Sequence, residues 1–228
     1  MKKRQQPTRL QLFTHLAAWV PLGILIFDFF TDNLTANPIQ AAQQRTGNVA
    51  LVLLILSLAC TPANMLLRLP QLLRLRRTLG LYGYLYAAIH LLLFAGIDYG
   101  FNFKLIWLDA GEKRYILVGA AAFLLLSLLA LTSFDAWKVR LGKNWKRLHR
   151  LVYLIDLLVV LHFGWVVKGD FLRLQGDVLR PLLAGMAVIA LLILRIPAVR
   201  HRLAGKLQFR GWRRQPEPLS KQSGSTGN

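Results

Sequence analysis

The chain has a single cysteine and only ten acidic residues among 228, and each scarcity closes off a class of protein. Cys60 alone cannot form an intramolecular disulfide, a Cys-x-x-Cys redox pair or a thiolate zinc cluster. Charge is scarce too, at 17% of residues, although 29 lysines and arginines give a formal net charge of +19. Val49 to Leu67, Leu79 to Ile97 and Tyr115 to Phe134 contain no Asp, Glu, Lys or Arg at all. There is no Gly-x-Gly-x-x-Gly dinucleotide fingerprint. What is abundant is apolar surface: 55% of residues are hydrophobic and the mean hydropathy is +0.42. Such segregation of charge from long apolar runs is the mark of membrane spans, not of a soluble or disordered chain. A strongly basic chain ordinarily suggests nucleic acid. Here the basic residues fill the gaps between apolar runs, so the pattern argues against nucleic acid and for membrane topology.

Apolar length predicts six spans: Leu12 to Phe30, Val49 to Leu67, Leu79 to Ile97, Tyr115 to Phe134, Leu151 to Val167 and Pro181 to Val199. The expected fold is therefore all-α, a polytopic six-transmembrane-helix bundle over residues 12–199. It is flanked by a basic N-terminus (1–11) and a basic, partly disordered tail (200–228). The last span leans on a snorkelling Arg195. The first follows a basic start like that of a signal peptide, but Trp19, Pro21 and Asp28 make a poor cleavage site, so it reads as a retained span. Lys and Arg number 22 in the N-terminus, the 68–77 and 138–150 loops and the tail, against 7 in the alternate loops around Arg45, 104–114 and 168–180. By the positive-inside rule both termini are cytoplasmic. The basic face suits anionic lipid or an acidic electron donor. No internal repeat stands out.

An ionisable side chain inside a span is expensive and points to function. His90 in the third span and His162 in the fifth lie about 10 Å and about 8 Å from the same membrane face on parallel helices. Two neutral imidazoles at matched depth can supply both axial ligands of one haem iron; the bland alternative is a pair of buried hydrogen-bonding histidines. Ala87, Ala88, Ala95 and Gly96 leave room for a macrocycle, or serve close helix packing. His149 lies about 20 Å from His162 and some 140° around an ideal helix, so a kink, or a central helix showing different faces at different depths, is needed before both serve one interior. By chemistry alone it reads first as an interfacial residue near lipid phosphate. Asp156 could orient a ligand, accept a quinol proton or pair with a neighbouring helix. His15, near the inner end of the first span, reads first as an interfacial residue and is a candidate contact for a cofactor or quinone, and His201 lies in the tail.

The stretch RRTLGLYGYLYAAIH (Arg76 to His90), together with TSFDAWKVRLGKNWKRLHRLVYLIDLLVVLHF (Thr132 to Phe163), closely resembles the MsrQ/YedZ family. HLAAWVPL (His15 to Leu22) and ANPIQAAQQRTG (Ala36 to Gly47) resemble its N-terminal segments. The family belongs to the ferric reductase-like transmembrane superfamily, and the resemblance covers roughly residues 10–200. It implies a b-type cytochrome of the bacterial inner membrane that passes electrons to a periplasmic molybdopterin-containing methionine sulfoxide reductase, an MsrP-like partner. Electrons would come from the quinone pool or a cytosolic flavin reductase, and FMN is implied as a further cofactor. By position, His90, His149 and His162 match the family's haem histidines. The wider superfamily uses two histidines on each of two helices; the fourth position falls here at Arg76, and a guanidinium cannot replace an imidazole ligand. One haem b at His90 and His162 is thus the firmer expectation, and a second at His149 lacks an identified partner ligand. On this reading the chain is an electron-transfer subunit with no catalytic residue of its own. Two other readings remain at this stage: a ferric or quinone reductase without a protein partner, and a cofactor-free anchor or proton-path protein.

Overall fold

The computed structural model describes residues 8–167, 169–170, 175–196 and 199. The extreme N-terminus and the tail with His201 lie outside the described residues. Helix α1 (Arg9–Phe30) opens on a capping box, in which Gln11 N–H donates to Thr8 Oγ1 (3.3 Å) and Thr8 N–H donates to Gln11 Oε1 (2.9 Å). Helix α2 (Pro38–Leu67) starts with proline at its first turn after Asn37, whose side chain accepts from Gln40 N–H at 3.1 Å. It ends at Arg68 in the left-handed conformation (φ 56°). Helix α3 (Gln71–Leu92) runs on as a π-helix through Leu93–Asp98. A short α4 (Phe103–Glu112) leads to α5 (Arg114–Leu131). Next come α6 (Asp135–Leu141) and α7 (Lys143–Leu148), broken at Gly142 (φ 49°, ψ −120°), then α8 (Leu151–Val166). A two-residue antiparallel pair, β1 (Gly169–Asp170) with β2 (Gln175–Gly176), precedes α9 (Leu179–Ile193).

Among the described residues five helical segments are long and apolar enough to cross a membrane: Arg9–Phe30, Pro38–Leu67, Gln71–Asp98, Arg114–Leu131 and Lys143–Val166. The sixth predicted span is represented by α9, whose 15 residues fall short of that length. Four predicted loops are helical instead: α4 covers most of 104–114, α6 and α7 cover most of 138–150, and the long helices take in two more. Arg45 lies within α2, because the Asn37–Pro38 cap starts the helix well before the apolar run begins, and glutamines prolong a helix without raising hydropathy. Most of the 68–77 segment likewise belongs to α3.

Contacts fix the relative directions of the helices. His15 meets Tyr82 and Ala18 meets Tyr86, so α1 and α3 are parallel. Gln43 meets His90 and Ser57 meets Arg76, so α2 and α3 are antiparallel. Tyr115 meets His162 while Leu126 and Leu129 pack with Ile155, so α5 and α8 are antiparallel as well. The core has two clusters: Ala50, Leu53, Cys60, Leu75, Leu79 and Tyr86 between α2 and α3, and Leu54, Leu126, Leu129 and Ile155 joining α2 to α5 and α8. Close approach relies on small residues, as packing in hydrocarbon demands. A Cβ at Gly83 would stand 3.0 Å from the Leu54 side chain. Ala87 packs against both clusters, and Gly96 faces the Phe101 ring. Helix α1 is peripheral. Of its side chains only Ala18 and Leu25 are buried, and Phe13, Leu16, Trp19, Val20 and Phe27 are exposed, as a lipid-facing helix would have them. Residues from Ile193 onward form a separate unit, in which Ile196 N–H donates to Ile193 O at 3.0 Å.

Candidate cofactor site

His90 is on α3, one turn before the helix widens into its π-segment, a distortion that recurs at functional sites. His162 is on α8. The bundle brings the two rings to a centroid separation of 6.2 Å with planes at 84°. Each ring is tied to the neighbouring helix in the same manner. His90 Nδ1 donates to the backbone carbonyl of Gln43 on α2 at 2.9 Å, and His162 Nδ1 donates to that of Tyr115 on α5 at 2.8 Å. A carbonyl can only accept, so Nδ1 carries the proton and the lone pair is on Nε2. That is the state a metal-binding imidazole needs, with its remote N–H anchored to a second group.

The spacing fits a shared iron. An imidazole nitrogen sits about 2 Å from a bound transition metal and about 1.1 Å from its own ring centre, so two rings on opposite sides of one metal stand about 6.2 Å apart. A bare multidentate metal site is a poorer fit: among the described residues no three of His, Cys, Asp and Glu converge to hold an ion. Two imidazoles with no further protein ligand suit an iron whose other positions are filled by a macrocycle.

His149 does not join this pair. It caps the C-terminus of α7 just before α8 begins, where Arg150 N–H donates to Arg147 O and Tyr153 N–H to Arg150 O three residues back, so the ideal 100° per residue does not carry through this turn. Its ring stacks on Trp145 at 4.1 Å and 28°, Nδ1 donates to Trp145 O at 3.2 Å, and the buried Nε2 makes no hydrogen bond of good geometry, although the Leu129 backbone also acts on the ring. Trp145 is itself fixed by its indole N–H, which donates to Thr132 O at 2.9 Å. The charges of Arg76 and Lys138 act on His149. Arg76 is thus near this histidine, as its sequence position suggested, and brings a cation where a fourth imidazole would stand.

Asp156 lies on α8 between the levels of His149 and His162 and is 1% exposed. His15 is exposed, with Nδ1 2.9 Å from the Tyr82 hydroxyl; Trp19 approaches the other side of Tyr82 edge-on at 6.1 Å. Tyr82 precedes His90 by two turns of α3, about 12 Å along the axis. In the 98–114 connection, Lys113 Nζ and the Tyr99 hydroxyl both donate to Asp109 Oδ2, each at 2.5 Å. These donors, Lys113 first, hold the Asp109 carboxyl below its ordinary range, and Asp109 holds the Lys113 ammonium above its own.

Sequence reasoning missed the groups behind the histidines. The acceptors on Gln43 and Tyr115 are backbone atoms and have no side-chain signature. Gly47 and Gly119 lie against the His90 and His162 rings. Each histidine is 47 residues after its carbonyl acceptor, a separation that a backbone atom leaves unmarked in the sequence.

The profile of the family described as "Ferric reductase like transmembrane component" matches residues 46–160, which include His90 and His149 and stop just short of His162. The chain is 37% identical over 201 residues to a protein of Caulobacter vibrioides, covering 86% of this chain and 92% of the relative. It is 43% identical over 162 residues to one of Xanthomonas axonopodis pv. citri (68% and 74%) and 40% identical over 195 residues to one of Xanthomonas campestris pv. campestris (82% and 89%). All three relatives bear the name "Protein-methionine-sulfoxide reductase heme-binding subunit MsrQ".

Proposed function

Because this chain belongs to the MsrQ/YedZ family of ferric reductase-like transmembrane proteins, we propose that it is the membrane electron carrier of a protein-methionine-sulfoxide reductase system. It is a multi-pass membrane protein. The observation that carries the proposal is the pair of Nδ1-anchored imidazoles, His90 and His162, at the spacing of one bis-imidazole iron. Haem b is the group that fits them, and when bound it supplies reversible one-electron chemistry inside the membrane.

The residues do the rest. Gln43 O and Tyr115 O hold the proton on Nδ1, which fixes the tautomer and raises the donor strength of Nε2. Toward the inner end of α1, the hydrogen-bonded His15 and Tyr82 offer a quinol hydroxyl an acceptor and a relay on the lipid-facing surface. Asp156, buried between the two histidine levels, is the candidate for carrying a compensating proton. In the proposed orientation both termini are cytoplasmic and the protein lies in the bacterial inner membrane. The basic face then receives electrons from the quinone pool or a cytosolic flavin reductase. The opposite face delivers them to an MsrP-like periplasmic molybdoenzyme. FMN belongs to the proposal on family resemblance. His149 supplies one nitrogen toward a second haem, while the Arg76 position brings a cation instead of a second imidazole.

Pyridine haemochrome and flavin analysis of one purified sample test the assignment. One haem or more per chain, reducible by a quinol analogue or by flavin reductase with reduced nicotinamide, supports it. A haem-free protein from haem-replete cells overturns it. Reduction with no transfer to the periplasmic enzyme would return the chain to the partnerless ferric or quinone reductases.

A further inference from the structure

Two glycines in helix interiors have no backbone reason to be glycine. Gly47 in α2 and Gly119 in α5 lack the positive φ that favours this residue, and in a helix interior glycine costs about 1 kcal/mol relative to alanine. Each faces a histidine. A Cβ built on Gly47 would lie 3.2 Å from His90 Nδ1 and 3.3 Å from Cε1; on Gly119 it would lie 2.7 Å from His162 Nδ1 and 2.8 Å from Cε1. Each glycine is one turn after the carbonyl that accepts from the same ring, Gln43 before Gly47 and Tyr115 before Gly119. The two cradles are thus built alike: a carbonyl, a glycine four residues on, and a histidine 47 residues after the carbonyl.

We propose that Gly47 and Gly119 are positioning residues for the bis-histidine centre, bare patches of helix against which each imidazole lies so that Nδ1 reaches its carbonyl and Nε2 faces the shared iron. This rests on the haem reading of His90 and His162. The two positions are not equally tight. At Gly119 the added methyl would come within distances that carbon atoms do not tolerate, so the ring or the helix must move. At Gly47 the ring must yield only by a few tenths of an ångström. Any such movement lengthens the Nδ1–H···O=C bond, and a weaker bond makes the imidazole a poorer donor to ferric iron. The midpoint potential then rises, and with larger displacement the ligand is lost.

The experiment compares Gly119→Ala, Gly47→Ala and Gly23→Ala in the full-length protein by absorption, EPR and potentiometric titration. Gly23 is also inside a helix, but nothing lies within 4 Å of its would-be Cβ. Gly119→Ala is expected to lose the low-spin bis-imidazole signal in favour of a high-spin one. Gly47→Ala should keep the low-spin signal with a more positive potential, and Gly23→Ala should match the parent. Parent-like spectra and potential in both Gly119→Ala and Gly47→Ala, or an equal change in Gly23→Ala, would overturn the proposal while leaving the haem reading intact. A parent protein without haem would overturn both. Should Gly119→Ala accumulate poorly, the pair with His162→Ala decides. Removing the ring should restore the yield to that of His162→Ala alone, and failure to restore it would show that the glycine does not act through the histidine.

Discussion

Replacing Tyr86 with phenylalanine deletes one oxygen and should loosen α1. The Tyr86 hydroxyl donates to Ala18 O at 2.7 Å and accepts from Leu22 N–H at 3.0 Å. Those two backbone groups are the ones an uninterrupted helix would pair with each other, since residue 22 donates to residue 18. Pro21 lies between them, lacks an N–H and crowds the preceding turn. The hydroxyl is therefore inserted into an opened step of the helix, and it is 2% exposed at the residue level. In Tyr86→Phe a donor and an acceptor are left in hydrocarbon. An orphaned buried group costs about 1–3 kcal/mol, whereas measured side-chain hydrogen bonds in membrane helices average about 0.6 kcal/mol because the helices find other partners. We expect about 1–2 kcal/mol, which is roughly a 5- to 30-fold rise in the population with α1 detached. Because α1 buries only Ala18 and Leu25, this loss should show as faster amide exchange at residues 18–26 in lipid nanodiscs, with α2 and α3 unchanged. The Pro21→Ala background provides the decisive control: a closed helix can pair Leu22 N–H with Ala18 O by itself, so Tyr86→Phe should there cost less. An equal cost in both backgrounds would refute the bridging argument.

His90→Ala and His162→Ala should each abolish the low-spin bis-imidazole signal in EPR, and His149→Ala should leave it; loss from His149→Ala alone would reject the pairing. Asp28 on α1 is ion-paired with Arg45 on α2, and both side chains are partly exposed. Asp28→Asn should therefore cost at most about 1 kcal/mol in urea or thermal unfolding, read locally as faster exchange around residues 31–37. The Asp109 contacts carry a pH signature. The lowered carboxyl contributes stability above its ordinary value of 3.8 that is lost as pH falls through the depressed one, and the raised Lys113 contributes stability below 10.5 that is lost as pH rises through the elevated one. Amide protection at residues 99–113, corrected for intrinsic exchange, should fall at those two edges, and Lys113→Met should weaken the alkaline edge, to which the raised Tyr99 hydroxyl also contributes.

The histidine pair was legible because depth is a one-dimensional quantity. Counting residues along two parallel helices placed His90 and His162 at one level, and the bundle brings their rings to 6.2 Å. His149 was less legible because the count assumes ideal α-helix from the 143–150 region to His162, whereas the turn at His149–Arg150 carries bonds to the third residue back instead of the fourth. Helix ends failed where hydropathy and helix formation part company, as in the glutamine-bearing first turns of α2. The carbonyl acceptors were beyond reach in principle, since every residue carries one and only the docking of α2 on α3 and of α5 on α8 selects Gln43 and Tyr115.

The same docking explains why the two ends of the bundle differ. Around His90 and His162 the histidine-bearing helices meet their partners in equivalent ways, ring against bare helix, so a symmetric ligand can sit between equivalent donors. Toward the other end the equivalence is broken. Arg76 is rigidly part of α3, and its backbone carbonyl is held by Ser57. His149 instead belongs to a joint and takes its place from the Trp145 stack. A rigid cation facing a ring set by a separate short helix gives that level a different chemistry from the first.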